Sequence, residues 1–120
     1  MEAAALWNDH ALASLKDGRT DDAERGYEKA LALLPDDAYL HNDVGILLQG
    51  LGRPDEAEAT YRRATVLDPE GDTRWANLGD GLRKRRRTIE AIEAYGESSR
   101  LASDRWYDHR LWIGRIRGSL

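Results

Sequence analysis

The sequence predicts an all-α protein, an α–α superhelix of seven helices folded as a single domain of 120 residues. Three observations lead there. GRTDDAERGYEKALALLPDD, beginning at Gly18, is rewritten 34 residues later as GRPDEAEATYRRATVLDPEG, with nine identities in twenty positions. Within each copy the apolar residues recur at three-to-four spacing, the period of one helical face. Glycine and proline fall where one helix must turn into the next.

The elements follow in order. A first helix over 5–16 carries Trp7, Ala11 and Leu15 on one face. Gly18 then supplies the left-handed cap that a residue without a Cβ adopts freely. The second helix opens on Thr20, a capping hydroxyl, with Asp21 and Asp22 in the first turn, where acids favour the positive end of the helix dipole. Its face is Ala23, Tyr27, Ala30 and Leu33, and Pro35 ends it because a ring without an N–H cannot continue the ladder. The plan repeats: 39–50 with Val44, Gly45 and Leu48; the turn at Gly52; a helix from Pro54 with Ala57, Tyr61, Ala64 and Leu67; a stop at Pro69. The third copy has 73–84 with Trp75, Leu78, Gly79 and Leu82, then Ala91, Tyr95 and Ser98, but Arg86 stands at the turn glycine and Ser103 at the closing proline. A seventh helix is expected over 106–117, with Trp106, His109, Trp112, Ile113 and Ile116 at helical spacing. It either caps the array or begins a fourth repeat of a longer protein.

Small residues set how the helices approach. Ala11, Gly45 and Gly79 on first helices, and Ala23, Ala57 and Ala91 on second helices, return every 34 residues, and Tyr27, Tyr61 and Tyr95 fill the space this leaves. The pattern resembles the tetratricopeptide repeat, a 34-residue helix–turn–helix with the signature W-x2-L-G-x2-Y…A-x3-F…P. Copy two places it on His41, Val44, Gly45, Leu48, Ala57, Tyr61, Ala64 and Pro69; copy three on Trp75, Leu78, Gly79, Leu82, Ala91, Tyr95 and Ser98; copy one on Trp7, His10, Ala11, Ser14, Ala23, Tyr27, Ala30 and Pro35. The repeats run 4–37, 38–71 and 72–105. The resemblance implies a right-handed solenoid whose first helices line a concave side. His10 and Ser14 sit where the family prefers apolar groups, as befits a terminal repeat.

Composition excludes several classes of function. No apolar stretch approaches the roughly 18 residues of a membrane span, and MEAAALWNDH lacks the plan of a secretory signal, so a cytoplasmic protein without membrane contact is expected. With no cysteine there is no disulfide and no thiolate site. His10, His41 and His109 lie on different helices without an HxxxH or HExxH pair, and His41 and His109 fall in the slot of Trp7 and Trp75, which suits packing rather than ligation. DPEGDT at 68–73 would close a calcium loop on Gly79, which cannot ligate. QGLGR lacks the GK[ST] of a phosphate loop. No catalytic residue, cofactor or metal is therefore expected, and no enzyme.

The formal charge of −4 hides a gradient: nine acids and four bases over 1–37, eight and four over 38–82, five and ten over 83–120. The run Arg83–Arg87 is most simply a solvated turn whose cations favour the helix's negative end. Contact with nucleic acid or another polyanion, joined by Arg105, Arg110, Arg115 and Arg117, is the alternative, as is head-to-tail self-association of the basic and acidic ends. The leading expectation is a non-catalytic protein–protein interaction module. Its groove residues, on the first helices and away from the small-residue seam, are Asn8, Asp9, Leu12 and Leu15; Tyr39, Asn42, Asp43, Ile46 and Gln49; Thr73, Asn77, Asp80 and Arg83. Three asparagines can donate to and accept from a peptide backbone, and the leucines and Ile46 offer apolar contact. Asp9, Asp43 and Asp80 favour a protein or peptide partner with basic and apolar residues. Some family members clamp the carboxylate tails of chaperones with Lys, Asn and Arg; the matching slots here hold Asn8, Leu12, Asp43, Thr73 and Asn77, which argues against that ligand.

Overall fold

The computed structural model describes residues 2–118, with side chains for residues 2–105. Among the described residues six helices follow one another: α1 (Glu2–Lys16), α2 (Thr20–Leu33), α3 (Ala38–Gly50), α4 (Pro54–Leu67), α5 (Asp72–Lys84) and α6 (Thr88–Gly118). The expected count of seven is corrected to six. With Ser103 in place of proline, nothing breaks the ladder after copy three, and the segment 106–117 continues α6 to a length of 31 residues. The side chains expected to form a cap, Trp106, His109, Trp112, Ile113 and Ile116, lie outside the described residues.

The turns explain the helix ends. Gly18 and Gly52 both adopt φ 75°, and each is followed by an arginine whose N–H reaches back six residues inclusive, Arg19 to Ser14 O at 2.8 Å and Arg53 to Leu48 O at 2.9 Å. This is the bond pattern that satisfies the last carbonyls of a helix. Arg87 makes the same bond to Leu82 O at 3.0 Å, and Arg86 holds the left-handed position at φ 61° without being glycine. Pro54 occupies the first turn of α4 as expected. Thr20 does not cap α2; Arg19 precedes the helix and no side chain bonds its free N–H groups. The cap that does form is Asp37, which accepts from Leu40 N at 3.2 Å at the start of α3.

Packing follows chain order. The pairs α1–α2, α3–α4 and α5–α6 form the repeats, while α2–α3, α4–α5 and the first helices α3 and α5 join one repeat to the next. One apolar cluster runs through Ala11, Ala23, Tyr27, Ala30, Leu40 and Leu47, another through Leu48, Ala57, Tyr61, Leu78, Leu82 and Ala91, and Val44 touches both. The glycine seam is closely packed. A Cβ on Gly45 would stand 2.6 Å from Tyr61 Cε1, one on Gly79 2.9 Å from Tyr95 Cδ1, and one on Gly81 3.3 Å from Tyr61 Cδ2. Tyr61 is thus held between its own repeat and the next. The Trp slot follows the same logic: Trp75 Nε1–H donates to Pro69 O at 2.9 Å, and His41 Nε2 donates to Pro35 O at 2.7 Å. Imidazole stands in for indole through the same bond, six residues back.

Copy one departs from the others. Leu6 is exposed at the position where Leu40 is buried. Ser14 is completely buried with no hydrogen-bond partner for its hydroxyl among the described residues, where copies two and three place Leu48 and Leu82. The polar residue expected to tolerate an uncovered end therefore lies inside the helix pair.

Candidate functional site

The first helices α1, α3 and α5 carry all thirteen groove candidates, and the structure separates them into three kinds. Tyr39 is 71% exposed, Ile46 50% and Leu12 40%. These are large apolar surfaces facing water, not parts of a closed bundle. Asp9 and Thr73 are also exposed. Leu15 differs: it is half-buried and packs against the cluster of Ala11 and Ala23, so it belongs to the core more than to the groove.

The amides are not three equivalent free groups. Asn77 Nδ2 donates to Asn42 Oδ1 at 2.8 Å, and Asn42 is buried. This bond ties α3 to α5. Asn8 Oδ1 is buried without a hydrogen-bond partner among the described residues. Gln49 Oε1 accepts from Tyr61 Oη–H at 2.9 Å. Asp80 accepts from Tyr95 Oη–H, and Arg83 completes the group, with Nε 3.4 Å from Tyr95 Oη and its guanidinium 4.0 Å from Asp80. Two of the tyrosines that fill the seam, Tyr61 and Tyr95, thus end their hydroxyls on groove candidates. Ile46, Gln49, Asn77, Asp80, Tyr61 and Lys84 line a shallow cleft of about 370 Å³ there. Tyr61 and Lys84 are groove residues beyond those expected from the sequence, Tyr61 because its ring is a packing element and only its hydroxyl reaches the floor.

The electrostatics are acidic. Burial pushes the Tyr27 hydroxyl up to about 12, helped by the charge of Asp43, and pushes Tyr61 up to about 12, helped by Asp80. Asp43 is itself raised, first by burial and also by Asp37, against the pull of Arg74. Arg74 is unexpected. It stands where copy two has Leu40 and is only 7% exposed, its guanidinium stacked on the Tyr39 ring at 3.9 Å. Its Nε is 3.8 Å from Asp68, and neither Nε nor Nη2 has a hydrogen-bond partner among the described residues.

The arginine run is largely absorbed by the chain itself. Arg85 binds Asp55 and Glu58, and Arg87 binds Glu58 and, with both ends of its fork, Glu90. One repeat earlier, Arg53 binds Glu24 at 2.8 Å and Glu56 in the same way. An arginine at each of these turns therefore clamps a glutamate of the preceding second helix and one of its own. Residues 24, 58, 53 and 87 form a ladder that ties each repeat to the one before it.

No group of three or more His, Asp or Glu among the described residues is placed to hold a metal ion, and no described helix is long and apolar enough to cross a membrane.

No curated protein sequence matches the chain. Among solved structures, it is similar to a crystal structure of MamA (TM-score 0.82, 15% identity), covering 88% of this chain and 61% of that one. The second TPR of Spaghetti, bound to an HSP90 peptide, is also similar (TM-score 0.75, 20% identity, covering 82% of this chain and 92% of that one). So is an O-GlcNAc transferase of Thermobaculum terrenum (TM-score 0.76, 24% identity), of which the match covers only 20%, against 86% of this chain. These likenesses carry the fold. Two family models described as tetratricopeptide repeat match residues 2–69 and 42–105. With the 34-residue period, the glycine–tyrosine seam and the paired helices they agree on one assignment, and the chain belongs to the tetratricopeptide repeat family.

Proposed function

We propose that the chain is a non-catalytic interaction module that holds a basic, apolar-containing peptide or helix of a partner protein along α1, α3 and α5. The observation that carries this reading is the exposure of Tyr39, Ile46 and Leu12 on the first helices that also carry Asp43 and Asp80, with Ile46 and Asp80 lining one cleft. Apolar side chains of this size gain about 25 cal/mol per Å² when a partner covers them, and aromatic or aliphatic anchors dominate such interfaces. Asp43 adds specificity. Burial disfavours its charged form and Arg74 offsets only part of that, so a lysine or arginine of the partner placed beside it stabilises the complex. The same carboxylates repel an acidic tail. The HSP90 peptide on the second TPR of Spaghetti supports the class of ligand, a peptide, and not its charge.

A peptide-array screen tests this: basic segments with apolar anchors should be selected, and Asp43→Lys combined with Ile46→Asp should abolish their capture. Capture that survives both changes moves the site elsewhere. The polyanion alternative draws on Arg83–Arg87, of which Arg85 and Arg87 are already neutralised by carboxylates. Head-to-tail stacking in the repeat register meets a further obstacle. The positions of Asp21 and Asp55 become Ile89, and those of Glu24 and Glu58 become Ile92, so Arg19 of a following copy would face Ile92 with no carboxylate to clamp.

A further inference from the structure

Comparing the copies position by position isolates a second surface, away from the groove. Trp7, His41 and Trp75 share one register position, and Lys29, Arg63 and Glu97 share another. In copy one these positions meet: Lys29 Nζ lies over the Trp7 ring, 5.2 Å from its centroid. In copy three the cation has become a carboxylate. No described cation stacks on Trp75, whose ring is half-buried and fixed by its bond to Pro69 O.

Two clefts meet at this ring on the outer side of α5, beside α6. One, of about 270 Å³, is floored by Trp75, Leu78 and Leu82 and rimmed by Glu93 and Glu97; the other, of about 500 Å³, continues along Trp75 and Leu101 past Glu70. Three arginines border them, and each is already held by a carboxylate: Arg62 by Glu58 and Glu90, Arg100 by Glu97 and Asp104, Arg105 by Asp72. Glu70 and Glu93 have no ion-pair partner among the described residues. The rim therefore keeps an excess of negative charge around an aromatic floor.

We propose that this cleft receives a lysine or arginine side chain of a partner protein, which takes over Trp75 the place that Lys29 holds over Trp7. An aromatic face attracts a cation through its quadrupole, and the carboxylates at the rim complete the charge. The proposal does not depend on what occupies the concave groove.

The test follows the indole N–H resonances of ¹⁵N-labelled protein during titration with acetyl-Gly-Lys-Gly-amide, its arginine analogue, and the norleucine analogue, which keeps the length and lacks the charge. Trp75→His identifies the resonance, and His41 shows that the slot accepts imidazole. The Trp75 signal should shift saturably with the cationic peptides at roughly tens of millimolar, as a single cation–aromatic contact allows. It should not shift with norleucine, and Trp7 should stay put. Glu97→Lys should fill the site from within, as in copy one, and weaken the peptides about tenfold or more. A Trp75 signal that stays unmoved, an equal response to norleucine, or parent-like titration of Glu97→Lys each overturns the proposal.

Discussion

Arg86→Gly is expected to stabilise the protein, and the structure allows the size of the effect to be worked out. Arg86 sits at φ 61°, where Gly18 and Gly52 sit at 75° in the two earlier turns. A left-handed L-residue costs roughly 1–2 kcal/mol. Space plays no part, because a Cβ at Gly18 or Gly52 would meet nothing within 4 Å. Nor does the lost side chain: Arg86 is exposed and forms no ion pair among the described residues, while its neighbours Arg85 and Arg87 form several. Against the gain stands the larger freedom of glycine in the unfolded chain, about 0.4–1 kcal/mol. The net is about 0.5–1 kcal/mol in favour of glycine, or about 2–4 °C in Tm for a chain of this length. Urea unfolding followed by circular dichroism measures it, with the midpoint rising and m unchanged. Gly52→Arg should shift the midpoint the other way. An Arg86→Gly midpoint equal to or below the parent would mean that the strain is relieved elsewhere, and the backbone reasoning fails.

Further outcomes are expected. Gly45→Ala should destabilise by about 1–2 kcal/mol, since the new methyl stands 2.6 Å from a buried tyrosine ring and overpacking outweighs the helix propensity gained; Gly96→Ala, with nothing within 4 Å, should stabilise by up to about 1 kcal/mol. Arg74→Leu, which restores the residue of copy two, should stabilise by about 1 kcal/mol in thermal melts, because removing an under-paired buried cation gains more than the lost stacking on Tyr39 costs. Glu58→Gln should lose about 2 kcal/mol at pH 7: burial alone would raise Glu58, but hydrogen bonds from Arg62 and Arg87 and their charges bring it below the ordinary carboxylate value. Its contribution is therefore present above the unfolded pKa and lost as pH falls through the folded one, so urea midpoints of parent and variant should converge in acid. Asp43, raised in the fold, has the opposite sign, and Asp43→Asn should be neutral or stabilising at pH 7.

The seam is legible in the sequence because period and side-chain size both speak there. A glycine and a tyrosine that each return after 34 residues imply a ring packed where a Cβ is missing, and Gly45 with Tyr61 and Gly79 with Tyr95 pack as that spacing requires. His41 is readable as a substitute for Trp75 by register alone, although its bond to Pro35 O is not. The arginine ladder is present in the identities Arg19/Arg53 and Glu24/Glu58. Sequence alone does not reveal it, because the partners of each arginine belong to different repeats, and only the stacking of one turn beside the preceding second helix brings them together. Arg74 gives no signal, since a charged residue among polar neighbours at a helix start looks solvated. The length of α6 is implicit in Ser103: without a proline there, the backbone ladder has no reason to stop, and helical spacing on either side of that residue belongs to one helix.

The charges of this chain serve two surfaces, and their pairing tells the surfaces apart. At the turns Arg53, Arg85 and Arg87 each meet carboxylates, so those charges hold repeat to repeat. On the concave side Asp9 and Asp43 have no ion-pair partner among the described residues, and Asp80 has only Arg83 at 4.0 Å. Stacking the repeats does not require them, because the seam and the ladder already supply the contact. Under the proposed function, these acids and the exposed Tyr39 and Ile46 serve a partner that supplies cations and covers the apolar side chains. That argument would hold even if the partner were a helix and not an extended peptide, since both present side chains to the same row.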